Sequence, residues 1–187
     1  MNDPGEWATQ INGLHDAVQC MPDGMVELTV IQFAFSLPDH ARTEIEYTVI
    51  TNSNRADVAD MVNGIVQGSG ITPMEYGIDL AVEELRSSPL FDSSLWSKVI
   101  YISSDIGEYT LDWLAIPVAR DNAVLYVDEI NAVGIGDIRA VDIDWLQRKI
   151  VYPQDGNIAP PFNPGWVYDV GIDAAKWTQA ICQRFGQ

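Results

Sequence analysis

MVELTVIQFAF (residues 25–35), SLPDHAR (36–42) and TEIEYTVI (43–50) follow one another without a break, and their patterns differ in a way that decides the fold. The first is apolar almost throughout and rich in β-branched and aromatic residues, as a strand covered by helices on both faces must be. It predicts a central strand. The third alternates Glu44 and Glu46 with Ile45, Tyr47 and Val49, so one of its faces is wet and it belongs at a sheet edge. The seven-residue connection suits antiparallel pairing between the two.

Outward from this pair, helical patterns alternate with short apolar runs. Before it, Trp7, Ile11, Leu14 and Val18 fall on one face of a helix that MPDG (21–24) ends. After it, NRADVADMVNGIVQ (54–67) reads as a helix. Thr72 and Pro73 then form a cap and first-position pair opening another, with Ile78, Ala81, Val82 and Leu85 on one face. SKVIYIS (97–103) is a second buried strand. A helix over about 110–125, kinked at Pro117, and a strand over about 128–135 follow, with VLYV (124–127) as the alternative strand. DIDWLQRKI (142–150) is a short helix, IAPPFNPG (158–165) a stiff loop, GWVYDV (165–170) a last strand and AAKWTQAICQRF (174–185) a closing amphipathic helix. The alternation predicts an α/β layered domain.

Composition narrows the function. A chain of 187 residues with 47% hydrophobic content supports one domain with a substantial core. Ten Lys and Arg against 27 Asp and Glu give a net charge of −17, which repels phosphate backbones and anionic lipid and attracts divalent cations. Nucleic acid is a poor partner. No run approaches the roughly 18 apolar residues of a membrane span, and the first 20 residues lack the pattern of a signal peptide. His15 and His40 stand beside no Ser or Cys in a nucleophile motif, which disfavours a hydrolase, and no phosphate-binding glycine loop follows a strand. The six tryptophans sit mostly at core spacings and read as packing. Cys20 and Cys182 fit no zinc or redox motif, which leaves either a disulfide or two free thiols.

The order of elements resembles a von Willebrand factor type A (VWA) domain whose first strand is missing. ELTVIQFAF (27–35) with TEIEYTVI is similar to that family's second and third strands, GSGITPMEYGIDLA (68–81) to its G-G-T-P loop and helix, and KVIYISSDIG (98–107) to the strand that ends in T-D-G. The stretch from VDEINAVGIG (127–136) to VYPQDGNIAPPFNPGWVYDV (151–170) resembles a bacterial branch of secreted proteins bearing this domain. The resemblance implies a doubly wound, mostly parallel sheet with one antiparallel edge strand. It also implies a non-enzymatic adhesion or scaffold module that binds an acidic residue of a protein partner through Mg²⁺ or another divalent cation, outside the cell or in the periplasm. Thr72 and Asp105 match two of the family's metal-binding positions. Plain helix capping for Thr72 and a solvated turn for Asp105 are the competing readings. Ile106 between Asp105 and Gly107 departs from the family's spelling, and no Asp-x-Ser-x-Ser occurs in the sequence. These residues alone are expected to hold Mg²⁺ no more tightly than about millimolar. A metal-independent structural domain of the same fold is the alternative.

In this fold the first and last helices are neighbours running the same way, so the resemblance also implies a Cys20–Cys182 disulfide. Met1 falls where the family's first loop would end, so a strand carrying Asp-x-Ser-x-Ser, behind a signal peptide, is expected upstream. Without that strand a central slot stays open, and the chain is expected to be marginally stable, prone to aggregate or to form a strand-exchanged dimer.

Overall fold

A computed structural model of the chain describes residues 4–105, 114–154 and 165–186. In order its elements are α1 (Pro4–Cys20), β1 (Glu27–Phe33), β2 (Ala41–Val49), α2 (Arg55–Asn63), α3 (Met74–Ser87), β3 (Val99–Ser104), α4 (Ala115–Ala123), β4 (Glu129–Ile135), α5 (Ala140–Lys149), β5 (Val167–Gly171) and α6 (Ala174–Cys182). This is the predicted α/β alternation. Ile106, the start of the helix expected over 110–125 and most of the loop at 158–165 lie outside the described residues. No helix among the described residues is long and apolar enough to cross a membrane.

The strands form two sheets. β1 pairs antiparallel with β2, and β3, β4 and β5 form a parallel sheet in that order. β4 is covered on both faces: Ile130 and Ala132 join the core built with α3, α4 and α5, while Val133 and Ile135 join the core built with α1, α2 and α6. All seven of its residues are buried. The helices thus lie in two layers, as a doubly wound fold requires.

α3 fixes how the two sheets face each other. Near its start, a Cβ on Gly77 would come within 2.5 Å of the Phe33 ring, and just past its end Ser88 Oγ donates to Glu27 Oε1 at 2.5 Å. α3 therefore runs antiparallel to β1, and the chain leaving it enters β3 in the direction of β1. On the opposite layer α1 and α6 run side by side in the same direction. A Cβ on Gly13 would meet Trp177 at 2.8 Å, Thr178 Oγ1 donates to the Gly13 carbonyl at 3.1 Å, and Cys20 is disulfide-bonded to Cys182 with Cα atoms 5.7 Å apart. That spacing lies within the range a bridge needs.

Several sequence expectations need correction. The helix at 54–67 stops at Asn63, because Gly64 caps it with its N–H turned to the Asp60 and Met61 carbonyls. Thr72 is not a helix cap. Its carbonyl accepts from Met74 N at 3.0 Å in a tight turn, which moves the N-cap to Pro73, and no side chain caps the helix. β1 is not buried on both faces: of its seven residues only Gln32 is, and the rest are half-buried. The physical reason is the missing neighbour, since among the described residues no strand pairs with the edge of β1 that faces away from β2.

Candidate functional site

The loop before α3 is fastened to the end of β1 through one side chain. The Gln32 amide donates to the Val66 carbonyl at 3.2 Å and accepts from Gly68 N at 3.0 Å, and backbone bonds from Phe35 N to Ile71 O and from Ser36 N to Ser69 O continue the attachment. Its glycines are needed. A Cβ on Gly68 would lie 2.6 Å from that of Ala34, and Gly70 has φ +99°, a conformation side chains rarely adopt. This attachment sets Thr72 at the carboxyl end of β1, while Asp105 follows directly on Ser104, the last residue of β3. Since β1 and β3 run the same way, both candidate metal residues stand at the same end of the molecule, where open α/β sheets place their ligands. Both are half-buried and both border one large cleft.

That cleft, about 740 Å³ in volume, occupies the space between the two sheets. Every residue from Val26 to Ala34 and every residue from Ser97 to Asp105 lines it. A sheet face would expose only alternate residues, so consecutive lining means that β1 and β3 present their edges to it. One wall comes from α1 and α6, through Ile11, Leu14, Trp177 and Ile181. The opposite wall comes from α3, through Met74, Ile78, Ala81 and Leu85. The helical stripe read from the sequence is therefore correct in period, but Trp7, Ile11 and Leu14 are only half-buried because they face the cleft, whereas Val18 beyond it is buried.

A polar cluster that sequence reading missed lies at the amino end of β4. Glu129 is buried and forms an ion pair with Arg184, and it accepts from Asn131 Nδ2 at 2.8 Å. The Asn131 side-chain oxygen Oδ1 in turn accepts from Trp166 N at 3.1 Å, ordering the chain into β5. Burial pushes the Tyr101 hydroxyl well above its ordinary range, opposed by the nearby Arg184 guanidinium, so it stays protonated. Glu129 and Arg184 are far apart in sequence, and no spacing rule links them. At the start of α5, the Arg139 guanidinium grips Asp142 with two bonds of 2.8 and 3.0 Å and holds its carboxyl below the usual range.

The histidines take other roles. His15 lies 2.9 Å from its neighbour Asp16 on the surface of α1. His40 stacks on Phe35 at 4.8 Å and meets Tyr76 edge-on at 5.0 Å, and it closes the β1–β2 connection with both it and Asp39 at positive φ. Trp177 is packed in the core and donates from Nε1 to Ser103 Oγ at 2.9 Å.

No family model and no curated protein sequence matches the chain. Solved structures do. A von Willebrand factor type A protein from Catenulispora acidiphila superposes with a TM-score of 0.68 at 13% identity, covering 97% of this chain and 38% of its own. The pilus adhesin SpaC from Lactobacillus rhamnosus GG, in an open conformation, gives 0.64 at 14% identity over 96% of this chain and 27% of its own. Proximal thread matrix protein 1 from the mussel byssus, with a zinc-occupied MIDAS motif, gives 0.61 at 15% identity over 97% of this chain and 42% of its own. The chain thus has the fold of a VWA domain and spans less than half the length of each of these proteins.

Proposed function

We propose that the chain is a non-enzymatic protein-binding or adhesion module of the VWA type, working outside the cell, whose metal-ion-dependent site is incomplete in its own residues. The observation that carries this reading is the VWA-like fold over nearly the whole chain together with Thr72 and Asp105 at one end of it, bordering the same cleft. The zinc-occupied motif of the byssus protein supports a divalent cation in a domain of this fold, and the pilus adhesin supports a role in adhesion. The Cys20–Cys182 bridge fits an oxidising compartment.

The donor set does not fit tight metal binding. Thr72 offers one hydroxyl and Asp105 one charge, whereas Mg²⁺ gives up its water reluctantly and favours several hard oxygen ligands. Among the described residues no group of three or more His, Cys, Asp or Glu could hold a metal ion. That observation favours a second reading, a metal-independent structural or scaffold domain of the same fold. Affinity chromatography on the immobilised chain with extracellular protein from the source organism separates the two. A partner retained in Mg²⁺, released by EDTA and not retained by a Thr72→Ala/Asp105→Ala variant supports the metal-assisted module. A partner retained equally in EDTA supports the scaffold, and turnover of a hydrolase or nucleotide substrate would contradict both.

A further inference from the structure

Three aromatic rings stand together on the surface, outside the cleft. Phe35 follows the carboxyl end of β1, His40 closes the turn into β2, and Tyr76 lies in the first turn of α3. The His40 ring stacks on Phe35 with centroids 4.8 Å apart and planes at 12°, and it meets Tyr76 at 5.0 Å with planes at 80°. Phe35 is nevertheless 50% exposed and Tyr76 43% exposed, and none of the three lines the cleft between the sheets. One exposed ring on a surface is ordinary; three in contact with one another are not.

The backbone is bent to keep them there. Asp39 and His40 take left-handed φ values of 52° and 63°, which non-glycine residues hold only where the surroundings impose them. His40 N donates to the Leu37 carbonyl, Leu37 N to that of Ala34 and Ala34 N to that of His40, while Phe35 N and Ser36 N bond the loop that leads into α3. His40 Nδ1 donates to the Phe35 carbonyl at 3.2 Å. A carbonyl can only accept, so the neutral ring carries its proton on Nδ1 and keeps Nε2 as an acceptor.

The charges beside the rings have one sign. Asp39 adjoins His40 in the turn, and Asp79 follows Tyr76 at i+3, a spacing that makes side chains neighbours on a helix. Among the described residues neither carboxylate makes an ion pair, and the Tyr76 hydroxyl makes no hydrogen bond. Ring faces attract cations and nearby carboxylates strengthen that attraction, whereas an anion meets repulsion here and from the net charge of −17. A planar guanidinium can lie on a ring face while its N–H groups reach Nε2, a phenol oxygen or a carboxylate; a compact ammonium cannot do both as well. We propose that Phe35, His40 and Tyr76, flanked by Asp39 and Asp79, form a docking site for one exposed arginine of a partner protein. That the bearer is a protein rests on the binding-module reading above; the site itself requires no metal.

The probe is acetyl-Gly-Arg-Gly-amide, titrated in EDTA into the isotope-labelled chain and followed by NMR. Its control carries citrulline, which replaces the guanidinium with a neutral urea of nearly the same shape. The expected result is saturable shifts confined to the amides around Phe35, His40 and Tyr76, with a dissociation constant on the order of millimolar and at least about tenfold weaker binding of the citrulline peptide. Phe35→Ala and Asp39→Asn should each weaken arginine binding about two- to fivefold. Asn is accepted at left-handed φ as Asp is, so the second variant reads the charge without loosening the turn. Citrulline bound as tightly as arginine, shifts spread over the acidic surface, affinity unchanged in both variants, or no saturation would each overturn the proposal. Tighter binding of phosphocholine would assign the rings to a quaternary ammonium headgroup and overturn it as well. The titration contains neither metal nor partner, so its failure leaves the binding-module reading standing.

Discussion

β1 and β4 are strands of seven residues each, both mainly apolar, and only one of them is a core strand. β4 has a parallel neighbour on each side and helices on both faces, and all of its residues are buried. β1 has helices on both sides but, among the described residues, a strand on one edge alone, and six of its seven residues remain partly exposed. Apolar composition reports where a strand is suited to sit, whereas burial depends on whether its neighbours are present. The two halves of the sheet differ in the same sense: β3–β4–β5 is closed around β4, and β1–β2 opens onto a cleft.

The disulfide is the largest lever on this difference, because it ties together α1 and α6, the two helices that form one wall of the cleft and also pack against β4. In the chain-entropy model a bridge with a sequence separation of 162 contributes about 5 kcal/mol. Denaturant titration of the reduced chain or of Cys20→Ser/Cys182→Ser should show a loss of that order. A loss below about 1 kcal/mol would mean that the two helices hold their register without it.

Paired truncations test the contrast itself. Ile130 in β4 is fully buried, and Ile130→Ala should cost about 4 kcal/mol through lost transfer energy and a residual cavity. Ile31 in β1 is half-buried, and Ile31→Ala should cost no more than about 1.5 kcal/mol. Equal costs in chemical denaturation would show that β1 is packed as β4 is.

Closure at the amino end of β4 also rests on the Arg184–Glu129 pair. Arg184→Met should destabilise by about 3 kcal/mol, since it leaves a buried carboxylate without its cation. Adding Glu129→Gln should recover much of that loss, and a double variant no more stable than the single one would show that the arginine acts by packing alone.

Much of this was legible in the sequence. SKVIYIS and the strand near 128–135 carried their own signal, and the stripe of α1 was correct in period. The short connection between MVELTVIQFAF and TEIEYTVI gave the antiparallel pairing of β1 with β2. What escaped was set by contacts distant in sequence. The half-exposure of β1 depends on a neighbour that its own residues do not encode. The Glu129–Arg184 pair depends on how α6 returns to the start of β4. For Thr72, local propensity predicted a cap, and the attachment of its loop to Gln32 and Phe35 decided otherwise. Asp105 sits where its strand delivers it, and Ile106 beyond it lies outside the described residues.

The smallest expected effect concerns pH. Hydrogen bonds from Arg139 hold the folded-state pKa of Asp142 below the ordinary value of an aspartate, so the pair contributes stability that is fully present above that ordinary value and lost as pH falls through the depressed one. Asp142→Asn should flatten this part of the acid limb of thermal stability and leave the neutral region nearly parallel to that of the parent chain. An unchanged acid limb would show that the carboxylate titrates alike folded and unfolded.

Native-state hydrogen exchange of the oxidised, peptide-free chain tests the open slot most directly. The account predicts that the amides of β4 exchange only through global unfolding. Along β1, amides turned toward β2 should be protected and those turned toward the cleft should exchange orders of magnitude faster. Uniform protection along β1, at the level of β4, would contradict it.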